Sequence, residues 1–266
     1  MQAIKIAKAL LGKIDTKVSR KMPLETPLKR DDKGNGSLGQ FGLTDWWLST
    51  FTDEERDYIE GRFDSGGPIS LTKGSMPHQP DLEDVAAYVP PSAGELLLTL
   101  SSWFKGPEDR HIAKRILAKG EEVSASKALM AYEECMNKNV PAEEIRANKT
   151  WRNSVIDLHL VYSEMVEVYY RERDTTPTGL ADAISVCEKQ IALCDDAAQA
   201  WQYHLDQYPG TPLPAHSGYT QLCIIREKEH EYEEAIRLAT QAMEQGWMGD
   251  WEKRIARNQK RLDRLK

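Results

Sequence analysis

Apolar positions along the chain recur at helical spacing and are separated by clusters of turn-forming residues. Ile4, Ala7, Leu10, Leu11, Ile14 and Val18 fall on one face of a helical wheel, while Lys5, Lys8, Lys13 and Lys17 fill much of the rest. A basic amphipathic segment is therefore expected at the start. Residues 26–40, TPLKRDDKGNGSLGQ, contain Pro and three Gly without apolar periodicity, which predicts a flexible linker with a hinge at Gly34 to Gly39. Phe41 to Phe63 is the first firm helical unit: Trp46, Trp47, Leu48 and Phe51 cluster before Thr52 and Glu55, which have the spacing of a capping box. Residues 64–91 carry Gly66, Gly67, Pro68, Pro77, Pro80, Pro90 and Pro91, so a long connection is expected there.

A second capping box, Ser92 and Glu95, precedes Leu96, Leu97, Leu98, Leu100 and Trp103, a surface broad enough for a buried helix. Pro107 suits the first turn of the next helix, whose inner face is Ile112, Ile116 and Leu117. Ser124 to Asn137 predicts a further short helix, and Ala142 to Ile145 starts another after Pro141. No segment has the period-two alternation and β-branched richness of a sheet, so the fold class is all-α. Three regions are expected: 1–40, a basic segment with linker; 41–150, an N-terminal helical region; and 151–266, a region of helical hairpins.

Self-similarity marks that last region. His159, Tyr162, Met165, Val168 and Tyr169 are matched 57 residues later by His216, Tyr219, Leu222, Ile225 and Arg226. Ala183 and Ile184 are matched by Ala235 and Ile236 at a displacement of 52, which implies five inserted residues near Asp174 to Thr178 in the first copy. Residues 219–247 resemble the tetratricopeptide repeat: Tyr219 and Leu222 stand three apart, and Tyr232, Ala235 and Ala242 follow at the family's spacings. Small Ala235 and Ala242 would sit where paired helices touch. The copy departs from the family at Cys223, Arg226, His230 and Trp247. Over residues 155–266 the resemblance implies a short, irregular tetratricopeptide-like solenoid, closed by a helix from Trp251 with Ile255, Leu262 and Leu265 inward.

Composition narrows the function classes. The 266 residues have a net charge of −7, yet residues 1–30 hold eight basic and two acidic side chains, so residues 31–266 carry −13. That balance argues against a nucleic-acid partner, because binding phosphates requires concentrated basic charge. No apolar run approaches the ~20 residues of a membrane span. The basic segment could give at most weak contact with an anionic membrane surface, since the acidic body competes for it. Cys135, Cys187, Cys194 and Cys223 form no Cys-x-x-Cys pair and read as reduced core thiols, which places the protein in the cytoplasm.

No residue pattern names a reaction. His159 and His216 lack companion ligands, so no metal or other cofactor is expected. Asp109, Arg110 and His111 are adjacent and point in different directions on a helix. Gly34 to Gly39 matches Gly-x-Gly-x-x-Gly in letters only, since no strand precedes it. The expected function is a protein- or peptide-binding scaffold. By the family resemblance its groove would be lined by Ser163, Glu167, Tyr170 and Arg171 with Thr220, Ile224, Glu227 and Lys228. Two alternatives stand beside it: an enzyme with a site between the N-terminal helices and the repeats, lidded by residues 64–91, and a structural or regulatory homo-oligomer.

Overall fold

The computed structural model describes residues 36–64, 70–72, 92–206, 208 and 210–265. The basic N-terminal segment and most of the 64–91 connection lie outside them. The described residues are all-α apart from one minimal strand pairing. Two compact units divide within a single helix, between Lys119 and Gly120.

In the first unit, α1 (Gly36–Gln40), α2 (Thr44–Thr50), α3 (Asp53–Asp64) and α4 (Ala93–Ser102) lead into α5 (Arg110–Asn137). The end of the expected linker is helical: Ser37 and Leu38 donate their backbone N–H groups to the carbonyls of Ser70 and Leu71. Gly36 has φ +62°, and a Cβ there would meet the Leu71 carbonyl oxygen at 2.5 Å, so this approach requires glycine. Leu38, Trp47, Phe51, Ile59, Leu96, Leu97, Leu100, Phe104, Ile116 and Leu117 are buried. The Thr52–Glu55 capping box forms in both directions, at 3.0 and 3.2 Å. Glu55 also pairs with Arg115, whose hydrogen bond holds its carboxyl down at about 2.

Three expectations are corrected. Pro107 lies in a turn, and α5 starts at Arg110, with the Asp109 carbonyl accepting from Ile112 and Ala113. That helix runs for 28 residues without a break, where two shorter helices were expected. Gly120 costs it about 1 kcal/mol, which apolar contacts on both sides (Ile116 and Leu117 before, Ala125 and Ala128 after) readily offset. Trp103, expected in the core, is 37% exposed because it caps the C-terminus of α4, where the chain turns away.

The second unit contains the rest of α5, then α6 (Ala142–Ala147), α7 (Lys149–Tyr170), α8 (Gly179–Ala192), α9 (Cys194–Leu205), α10 (Ser217–Lys228), α11 (Tyr232–Glu244) and α12 (Trp251–Asp263). Helix α7 packs on α8, α9 and α10; α10 packs on α8 and α11; α11 packs on α12. Residues 171–178 join α7 to α8 and residues 229–231 join α10 to α11, so the first connection is five residues longer. Ala183, Ala235, Ala239 and Ala242 are buried, letting the helices approach closely. Strand β1 (Leu213–Ala215) pairs in parallel with β2 (Trp247–Met248), an extended contact with no period-two pattern behind it. Leu265, expected inward, is 70% exposed beyond the end of α12.

One buried side chain joins three of these helices. Gln190 on α8 donates from Nε2 to the His159 carbonyl at 2.9 Å and to the Ser163 hydroxyl at 2.7 Å, both on α7. Its Oε1 accepts the backbone N–H of Gly218, in the first turn of α10, at 2.6 Å. A Cβ at Gly218 would lie 2.8 Å from that oxygen and 3.0 Å from the Cys187 carbonyl oxygen. Gln190→Leu is expected to cost about 2–4 kcal/mol by leaving a buried donor and acceptor unmet. Gly218→Ala should cost about 1–3 kcal/mol by forcing α10 away from α8. Urea unfolding followed by circular dichroism measures both; stabilities equal to wild type would contradict the bridge.

Candidate functional site

The residues with the most chemical potential converge beside Gln190. His216 precedes α10 and caps it: Nδ1 accepts the N–H of Tyr219 at 3.2 Å. In a neutral ring that places the proton on Nε2, which lies 3.0 Å from Cys194 Sγ, so the imidazole donates to sulfur. His159 stacks on Trp247 at 5.2 Å and meets His216 edge to face at 5.1 Å. Tyr219 closes the cluster, 4.7 Å from the His216 ring. All five side chains are buried.

A histidine 3.0 Å from a cysteine has the spacing of a nucleophile and base. The electrostatics oppose that use. Burial pushes the Cys194 thiol up to about 12, and burial, with His159 nearby, pushes His216 well below its ordinary value. A reactive thiolate and imidazolium need the opposite shifts. The cluster is a packed, neutral hydrogen-bonded core. Sequence reasoning missed the pair because 22 residues separate its members; the only signal was a histidine at an N-cap position. Among the described residues, no group of three or more His, Cys, Asp or Glu is placed to hold a metal ion. Asp109 and His111 also go separate ways: Asp109 accepts from Tyr58 and Arg62, and His111 contacts the Glu108 carbonyl.

The eight residues expected to line a groove have divided roles. Ser163 is engaged by Gln190. Glu167 pairs with Arg171 along α7. Tyr170 and Lys228 meet across helices, Nζ donating to the phenol oxygen at 2.8 Å, and the Arg173 guanidinium lies 4.4 Å from the Tyr170 ring centroid. Glu227 turns to α12, accepting from Arg257 at 2.8 Å and Asn258 at 3.0 Å, with Arg254 and Arg261 alongside. Thr220 and Ile224 are half-buried on α10.

The second unit also has an apolar cleft of about 560 Å³, lined by Tyr132, Met136, Val140, Ile145, Arg146, Trp151, Asp196 and Gln199. Its floor is set by α7 and α6. Asn148 caps α7 by accepting the N–H of Trp151 at 3.0 Å, and this fixes the buried indole; Ile145 is buried next to it on α6. Met136 is 48% exposed, and Met130, one and a half turns earlier on α5, is 68% exposed. Arg146, Asp196 and Gln199 supply polar groups around an otherwise hydrophobic lining. The sequence did not disclose this cleft, because its walls come from four segments each too short to mark a site.

No protein-family model, no curated protein and no solved structure matches the chain. No helix among the described residues is long and apolar enough to cross a membrane.

The buried histidines give the fold a pH dependence. Burial lowers His159 to about 4, so between the ordinary value near 6.5 and about 4 the unfolded chain takes up a proton that the folded one refuses. Stability is full above 6.5 and falls as pH drops through that window. His159 alone should remove about 2 kcal/mol between pH 7.5 and pH 5, and His216 shifts in the same direction. His159→Phe should flatten the dependence of the urea midpoint on pH over this range. An unchanged slope would show that His159 does not titrate as its burial demands.

Proposed function

We propose that the chain is a peptide-binding protein and that the cleft floored by Trp151 and Ile145 is its recognition pocket. The observation that carries this reading is an open apolar cavity with an exposed methionine in its lining, in a unit whose histidine–cysteine pair is sealed and neutral. A volume of about 560 Å³ lies within the ~300–1,000 Å³ range of ligand sites, which are typically apolar with a few convergent polar groups. Burying one large apolar side chain there contributes about 1.5–3 kcal/mol. Unbranched Met136 can repack around different guests, and Arg146, Asp196 and Gln199 offer donors and acceptors to a peptide backbone.

The helical-hairpin packing supports a tetratricopeptide-like stack as the frame. In this reading α7 with α8, and α10 with α11, are the two hairpins, and α12 closes the end. The groove first expected on α7 and α10 ranks second, because Ser163 and Glu227 are already committed to Gln190 and to α12. Peptides selected by display against the full chain test the choice. Met136→Glu should weaken the selected peptides about tenfold, a loss of about 1.4 kcal/mol, while Arg171→Glu with Lys228→Glu should leave their affinity within about twofold. The reverse pattern would return the site to the groove, and failure to select any peptide would count against a peptide-binding role. Circular dichroism melts establish that each variant is folded.

A further inference from the structure

Helix α12 carries a surplus of positive charge. Residues 250–266 hold seven basic and three acidic side chains, a balance of +4 in a chain of −7. At about 100° per residue, α12 brings Lys253, Arg257, Lys260 and Arg264 onto one line, within about 60° of arc and about 17 Å long. All four are exposed, and Arg264, the C-cap, keeps helical dihedrals. Among the described residues, no group accepts from the side chains of Lys253, Lys260 or Arg264. Nearby carboxylates do not cancel the line. Glu227 meets three guanidinium groups, Arg257 at 2.8 Å, Arg261 at 3.4 Å and Arg254 at 3.7 Å, and Asp250 takes only Arg254, at 2.6 Å. Glu252 and Asp263 lie about 80–100° around the helix from Lys253. On the opposite side Trp251 and Asn258 are buried and Ile255 and Leu262 half-buried, where α12 packs on α11.

We propose that this line of cations docks an acidic helix of another protein, one whose carboxylates are spaced four, three and four residues apart so that it runs beside α12. The surface is separate from the cleft and does not depend on it. Rows of opposite charge along neighbouring helices choose the partner and its orientation in the same way. Glu227 holds Arg257 in place, so one member of the row is positioned before the partner arrives. Other anions fit this face less well. Single-stranded nucleic acid is held by aromatic platforms set among the cations, and the one aromatic side chain of α12, Trp251, is buried. A membrane surface takes up a helix through a free apolar face, and that of α12 is turned to α11. Exposed ion pairs are individually weak and screened by salt, so the docking is weak and salt-sensitive, and the charges serve selection and rapid encounter more than affinity.

The test follows the backbone amide resonances of the full, nitrogen-15-labelled chain, a method suited to weak binding. The probe is an alanine-based peptide with blocked ends, about four helical turns long, carrying four glutamates at the stated spacing. The largest shifts should fall at Lys253, Arg257, Lys260 and Arg264. Affinity should drop about tenfold with Lys253→Glu and Lys260→Glu together, and by a similar factor in about 0.5 M NaCl. A peptide with the same four glutamates placed consecutively should bind about tenfold more weakly, because it can meet only one end of the line. Met136→Glu should leave the affinity unchanged, which keeps this surface distinct from the cleft. Circular dichroism melts establish that the variants are folded. Absence of binding, shifts centred elsewhere, or equal affinity after the charge reversal would overturn the surface. Equal affinity for the two peptides would overturn the helical partner. Tighter binding of oligouridine or of phosphatidylserine vesicles at the same amides would assign the line to another anion and overturn the proposal.

Discussion

The geometry of the second unit depends on the side-chain amide of Gln190. A buried primary amide brings two donors and an acceptor into the core, and leaving any of them unmet costs more than the bond returns. Here both hydrogens are used on α7, by the His159 carbonyl and the Ser163 hydroxyl, and the oxygen takes the Gly218 N–H of α10. Three helices are thus held by one planar group with little freedom to shift. Apolar packing alone is non-directional and tolerates sliding; the amide fixes where α10 begins. That start carries His216, which caps α10 and reaches Cys194. The placement of the aromatic cluster around Trp247 follows.

This arrangement separates a sealed hydrogen-bonded core from an open apolar cleft. The histidine–cysteine cluster has the ingredients of catalysis, but burial holds both groups neutral, so its contribution is cohesion. The open cleft has the reverse character: a largely apolar lining with an exposed methionine and the polar groups of Arg146, Asp196 and Gln199, and no activated nucleophile among its lining residues. Rigid α7 carries both features, with His159 in the core and Trp151 at the floor of the cleft.

What the sequence disclosed was local. The capping boxes at Thr52 and Ser92, the helical character of nearly every apolar run and the longer connection in the first hairpin all depend on neighbours within a few residues. What it hid was long-range. Gln190 follows Glu188 and Lys189 and looks like part of a solvated face; only the approach of Gly218 makes it a buried bridge. Ser163 and Glu227 occupy positions where a groove was expected, yet tertiary partners claim them. Two helices were expected where α5 runs unbroken, and burial on both sides of Gly120 overrode that residue's low helix propensity. The cleft needed four segments to meet, which no spacing pattern encodes.

Hydrogen exchange at the Gly218 amide tests the central claim most directly. First-turn amides of a helix lack intrahelical acceptors and ordinarily exchange quickly. If Gln190 Oε1 holds this one in the core, Gly218 will exchange only with global unfolding, as slowly as the most protected amides of α7. Exchange as fast as that of the open first-turn amides of α12, at Glu252 and Lys253, would mean that the amide bridge does not hold the helices and that packing alone sets their register.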